Sequence, residues 1–190
     1  MRVIAGKAKR IPLVTPPGYD TRPTTDRIKE TLFNILQDDI YDCRFLDLFA
    51  GSGGVGIEAL SRGASYAVFV ENERSAQRCI RQNLEKTRLV DQSQVIANEV
   101  ISYVSRYEGE PFDIIFADPP YKKGFEDKLL TALKSSGAVC ENTLIIIESA
   151  LETEIDFIDE DVYETVRIKD YKSNRHIFLK KRYNQEEKIL

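Results

Sequence analysis

A chain of 190 residues, 42% hydrophobic and 31% charged, is long enough for one domain with a sizeable core, and it has no apolar run approaching the roughly 20 residues of a membrane helix. The net charge of −4 argues against indiscriminate nucleic-acid binding. One histidine, His176, and three scattered cysteines, Cys43, Cys79 and Cys140, argue against a metal centre or a histidine catalyst.

The cysteines read as reduced, buried thiols of a cytoplasmic protein. The basic start lacks an apolar stretch, so no signal peptide is expected. Charge is unevenly spread. Met1 to Thr31 holds seven Lys/Arg and three acids, Glu141 to Val166 nine acids and no base, and Arg167 to Tyr183 seven Lys/Arg and one acid. The acidic block reads as a solvated face.

In chain order, Val3 to Val14 predicts two short extended runs about Gly6-Lys7-Ala8-Lys9, a hairpin. After Thr15-Pro16-Pro17-Gly18, a Thr or Asp cap leads into a helix with Ile28, Leu32, Ile35 and Leu36 on one face. Arg22, Arg27 and Lys29 are expected in the loop and on its exposed side. Phe45 to Phe49 predicts a buried strand that enters Ala50-Gly51-Ser52-Gly53-Gly54-Val55-Gly56. A helix follows to about Ser61. Tyr66 to Val70 is the next strand, ending at Glu71. Glu73 to Thr87 is helical with Ala76, Cys79, Ile80 and Leu84 inward. Gln94 to Ala97 is a short strand, followed by a helix through Val104.

Phe112 to Ala117 is a strand rich in β-formers that stops at Asp118-Pro119-Pro120-Tyr121. The two prolines have no N–H for a ladder. Lys123 to Leu133 predicts a helix and Thr143 to Ile147 a strand. Tyr163 to Ile168 and His176 to Lys180 predict a final antiparallel pair. Strands alternating with helices from Phe45 to Ile147 mean βαβ units and a parallel sheet.

Gly51, Gly53 and Gly56 satisfy G-x-G-x-x-G, a pattern shared with NAD enzymes. Asp47, four residues before Gly51, would face a pyrophosphate unfavourably but suits an ammonium. Glu71, twenty residues after Gly51, is placed for ribose hydroxyls. S-adenosylmethionine fits these pieces: Asp47 and Phe49 to Gly53 for the methionine part, Glu71 for the ribose, and the Asn98-Glu99-Val100 corner for the adenine, with Asn72 also expected at the cofactor. Asp118 and the Pro119 carbonyl offer two acceptors to an amino group. Tyr121 offers a ring on which a base could stack.

Asp47-Leu48-Phe49-Ala50-Gly51-Ser52-Gly53 together with Asp118-Pro119-Pro120-Tyr121 resembles the class I amino-methyltransferases. With Arg22-Pro23-Thr24-Thr25-Asp26-Arg27 and Glu30-Thr31-Leu32-Phe33-Asn34, the chain is closely similar to the RsmD family of bacterial guanine-N2 methyltransferases of small-subunit ribosomal RNA. The resemblance runs from about Arg2 to Ile147. One departure is Asn98-Glu99-Val100, where related enzymes often have Gly-Asp-Ala.

The resemblance implies a doubly wound, seven-stranded class I methyltransferase sheet, mostly parallel with an antiparallel last strand. A hairpin-and-helix extension (1–39) would precede the catalytic domain (40–183) and a short tail (184–190). It also implies S-adenosylmethionine as cofactor, no metal, and a flipped guanine of 16S rRNA as acceptor, with the RNA expected within a small ribosomal subunit or its assembly intermediate. Asp118, Pro119, Pro120 and Tyr121 would be catalytic. Lys7, Lys9, Arg10, Arg22, Thr24, Arg27, Lys122 and Lys123 would contact RNA. DNA adenine-N6 methylation, an NAD-dependent oxidoreductase and a non-catalytic RNA-binding module are the alternatives.

Overall fold

The computed structural model describes residues 1–16, 26–121 and 123–183. Its elements are α1 (Asp26–Ile35), β1 (Arg44–Leu48), α2 (Gly54–Arg62), β2 (Tyr66–Glu71), α3 (Arg74–Thr87), β3 (Ser93–Ala97), α4 (Val100–Ser105), β4 (Ile114–Ala117), α5 (Phe125–Leu133), β5 (Leu144–Ala150), β6 (Tyr163–Asp170) and β7 (Asn174–Lys181). The seven strands run in the order β3-β2-β1-β4-β5-β7-β6. β1 pairs in parallel with β2, β2 with β3, and β4 with β5. β7 is antiparallel to both β5 and β6. The expected mostly parallel sheet with an antiparallel last strand is therefore present.

Burial explains the strand sequences. β4 is buried at every position, and β1 and β5 at every position but the first. Consecutive strand residues point to opposite faces, so both faces are covered, as parallel strands require. β6 is exposed at every position after Tyr163. It carries Glu164, Arg167, Lys169 and Asp170, and Val166 is the extra residue of an irregular register. Charge and a bulge are what keep an edge strand from pairing with another chain.

The chain forms two compact units, Met1–Val100 and Ile101 onward. In the first, the expected N-terminal hairpin contracts to a single antiparallel bridge between Arg2 and Pro12. The Val3 N–H donates to Ile11 O and the Arg10 N–H to Val3 O. The Leu13 N–H donates to Met1 O across the same bridge, and Pro12, at its non-hydrogen-bonded position, needs no N–H there. The turn is pressed onto α2: a Cβ at Gly6 would lie 1.7 Å from the Ser61 carbonyl oxygen. Ser61 O accepts the Lys7 N–H at 2.8 Å, and Ser61 Oγ accepts the Ala8 N–H at 2.9 Å. That cover is why α2 is buried on every side from Gly54 to Ser61 rather than along one stripe.

Lys29 departs from its expected place on the exposed side of α1. It is fully buried, and its Nζ lies 3.2 Å from Glu58 Oε2 while donating to Arg2 O at 2.6 Å. Glu58, also fully buried, accepts the backbone N–H groups of Ile4 and Ala5 and the Nε–H of Arg62. Helical periodicity cannot show that the N-terminal segment supplies α1 and α2 with buried polar partners. Burial lowers the Lys29 pKa, opposed by Glu58.

In the second unit, Tyr163 at the start of β6 donates from its hydroxyl to Leu130 O in α5 at 2.6 Å. Gly124, in the left-handed region at φ 62°, is the N-cap residue preceding α5.

Candidate active site

In the first unit, β1 ends at Leu48, opposite Val70 of β2. The next residue, Phe49, has φ 58°, a costly left-handed conformation for a bulky side chain. Gly51 and Gly53 follow at φ 54° and 77°. The Ala50 N–H donates to Val70 O and the Gly53 N–H to Ala50 O. The loop thus curls back over the strand end before α2 begins.

The glycines do different work. A Cβ on Gly51 would meet nothing within 4 Å, so that side of the loop is open. A Cβ on Gly56 would lie 2.4 Å from the Phe69 ring and 3.1 Å from Asp47 Oδ2, so Gly56 serves the close packing of α2 on β1 and β2.

Asp47 is only 2% exposed, and its Oδ2 accepts the Gly56 N–H at 2.8 Å. Burial pushes its carboxyl up to about 8, opposed by the Gly56 bond and reinforced by Glu71. Glu71 ends β2, one residue beyond the Val70 that pairs with the last residue of β1. Its Oε2 accepts the Gly51 N–H at 2.8 Å and its Oε1 the Glu73 N–H at 2.9 Å. A carboxylate has about four lone-pair sites, so two remain for hydroxyl donors. Asn72 is exposed beside it. Asn83 of α3 donates to Ser52 O and to Val14 O, and accepts the Val14 N–H. This brace of the glycine loop was not foreseen; only the fold brings α3 to it. Asn98 and Glu99 are exposed at the end of β3, the Asn98 side chain accepting the Glu99 N–H, and Val100 is buried.

In the second unit, β4 ends at Ala117, opposite Ile147 of β5. Asp118 is half-buried, Pro119 buried and Pro120 exposed. Tyr121 is 39% exposed, and its hydroxyl donates to Glu148 Oε1 at 3.0 Å. Burial and the carboxylates of Glu148, Asp118 and Glu126 hold the phenol above its usual range, so it remains a donor. Glu148 corrects the reading of the acidic block as a solvated face. It belongs to β5, is 4% exposed, and also accepts from Asn174 Nδ2 and lies 3.0 Å from His176 Nε2. A lone acid closing the apolar run Leu144-Ile145-Ile146-Ile147 was the available signal.

Of the basic candidates, Lys7, Lys9, Arg10, Arg27 and Lys123 are exposed. Lys7 Nζ donates to Gln92 Oε1. Arg22, Thr24 and Lys122 lie outside the described residues. Among the described residues no group of three His, Cys, Asp or Glu could hold a metal ion, and no helix is long and apolar enough to cross a membrane.

The family model described as conserved hypothetical protein 95 matches residues 1–180. Ribosomal RNA small subunit methyltransferase D of Escherichia coli K12 is 37% identical over 154 residues, 80% of this chain and 76% of that protein. The chain belongs to the RsmD family. YlbH of Bacillus subtilis is 39% identical over 157 residues, covering 82% of this RsmD-family chain and 85% of its own. The solved structure of yhhF from Escherichia coli has a TM-score of 0.86 at 32% identity, covering 97% and 99% of the two chains. The sheet of this RsmD member is that of the class I methyltransferases.

Proposed function

We propose that this protein transfers the methyl group of S-adenosylmethionine to the exocyclic N2 amine of a guanine in 16S rRNA. The observation that carries the reading is the identity to ribosomal RNA small subunit methyltransferase D across most of the chain. The two strand-end loops, Phe49 to Gly53 and Asp118 to Tyr121, add the chemistry.

The residues present fit the cofactor. The open side of Gly51 admits a ligand to backbone, and the Glu71 carboxylate retains acceptor capacity for ribose hydroxyls. Asp47 is assigned to the ammonium through its second oxygen, and Glu99 and Val100 to the adenine. When bound, S-adenosylmethionine supplies an electrophilic sulfonium methyl.

An exocyclic amine is a poor nucleophile because its lone pair is delocalised into the ring. Asp118 and the Pro119 carbonyl accept its two N–H bonds, which frees the lone pair from conjugation. Pro120 stiffens the loop, and the Tyr121 ring stacks on the flipped base. Positioning and complementary charge then supply most of the rate enhancement.

The test is mass mapping of 16S rRNA from cells with and without the protein, paired with methyl transfer by the purified protein to the unmodified RNA. One N2-methylguanine should vanish in the mutant cells and be restored in vitro. Methyl incorporation at adenine N6, or into no RNA, would overturn the reading.

A further inference from the structure

Two glutamates stand in the same relation to a neighbouring strand, one in each unit. Leu48 ends β1 opposite Val70, and the next residue of β2, Glu71, accepts from the loop that follows β1. Ala117 ends β4 opposite Ile147, and the next residue of β5, Glu148, accepts from the loop that follows β4. The sequence assigns Glu71 to the ligand; nothing assigns Glu148.

Glu148 is held from three sides. His176 Nε2 lies 3.0 Å from Oε2, Asn174 Nδ2 donates to Oε1, and the Tyr121 hydroxyl donates to Oε1 at 3.0 Å. His176 is fully buried, its Nδ1 is 3.1 Å from the Tyr171 hydroxyl, and its ring meets Phe116 and Phe178 edge-on. Asn174 and His176 are successive same-face residues of β7, and His176 pairs in register with Glu148 itself. A carboxylate fixed this way has no freedom to follow Tyr121; Tyr121 must settle on it. The ring nevertheless stays partly exposed.

We propose that Glu148, backed by His176 and Asn174, is a positioning residue that clamps the Tyr121 hydroxyl and thereby fixes the ring as a rigid platform for the acceptor base. The proposal rests on the reading that Tyr121 meets the acceptor. Pro119 and Pro120 stiffen the loop at its start, and the clamp fixes its end. The ring therefore arrives pre-oriented, and no rotamer freedom is lost when a base stacks on it.

The test is a double-mutant cycle of Tyr121→Phe, Glu148→Met and the pair, with Tyr121→Ala alongside, assayed for methyl transfer to rRNA and for S-adenosylmethionine affinity; methionine keeps the side chain's size and removes the acceptor. Tyr121→Phe keeps the ring and loses the clamp, so kcat should fall by at least about tenfold. KM for RNA should change less, and cofactor affinity should stay within about twofold. The double variant should be no slower than the slower single variant, because both changes remove one interaction. A purely structural role would lower stability and cofactor affinity without this split.

Tyr121→Phe at the parent rate with Tyr121→Ala slow would overturn the clamp and leave the stacking role intact. Tyr121→Ala at the parent rate would instead remove Tyr121 from the acceptor site. If Glu148→Met does not fold, the Phe and Ala variants alone decide the question.

Discussion

Glu71 and Gly51, twenty residues apart, are joined by a 2.8 Å hydrogen bond from the Gly51 N–H to the Glu71 carboxylate. The acid expected to reach the ribose also holds the glycine loop in place. Glu71→Ala should therefore weaken S-adenosylmethionine binding by roughly 1.5–3 kcal/mol, the scale of a charge-assisted hydrogen bond. Glu71→Gln, which can still accept from Gly51, should lose less. Calorimetric affinities equal to the parent in both variants, with the proteins folded, would take Glu71 out of the site.

The buried Asp47 carboxyl gives binding a pH signature. Its pKa is raised to about 8, mainly by burial, so it is largely protonated at neutral pH. A bound ammonium favours the carboxylate, so binding below pH 8 should expel a proton, and affinity should rise with pH towards that value. The stability sign is opposite. The folded pKa lies above the unfolded one, so the contribution to stability is complete below about pH 4 and lost as pH rises through about 8. Asp47→Asn should abolish both effects. Calorimetry in two buffers of different ionisation enthalpy counts the protons; the ammonium's own titration is common to both proteins. Equal proton release by the parent and Asp47→Asn would refute the assignment.

Asp118 is half-buried at the end of β4. Proposed to meet the target amine and not the donor, it should act on rate and not on cofactor affinity. Asp118→Ala should lower kcat by at least about 10²-fold. Single-turnover assays on unmodified rRNA measure this, and turnover at the parent rate would sink the amine-activation mechanism.

Lys29 and Glu58 form a fully buried ion pair that the Arg2 carbonyl and Arg62 complete. Removing one member strands the other in a dry site. Lys29→Met should destabilise the protein by about 3 kcal/mol, at the low end for a broken buried pair because Arg62 still faces Glu58. Urea denaturation reads this as a lower midpoint with an unchanged slope. An unaltered midpoint would mean that Glu58 is satisfied without Lys29.

Lys7, Lys9 and Arg10 are exposed on the N-terminal turn. If all three touch phosphate, neutralising them together should reduce the log–log salt slope of RNA binding by roughly two. Cofactor affinity should not change. An unaltered slope would move RNA recognition to the C-terminal Lys/Arg cluster.

Strand and helix order were legible because each signal is local. β4 reads as Ile-Ile-Phe-Ala closed by two prolines, and β1 as an apolar run entering glycines, so both ligand loops fall at strand ends from sequence alone. The same holds for Glu71, whose distance from Gly51 follows from the length of one helix and one strand. Only the tertiary structure decided which polar residues are buried and with whom. Lys29 looks like a solvent-facing lysine on an amphipathic helix until the N-terminal segment closes over it with Glu58. Glu148 looks like one acid of a solvated block until β7 inserts between β5 and β6 and brings His176 and Asn174 to it. A buried charge is tolerable only beside its partners, and those partners lie 26 to 29 residues away. Periodicity reports a residue's own element; pairing across the sheet depends on where the chain returns.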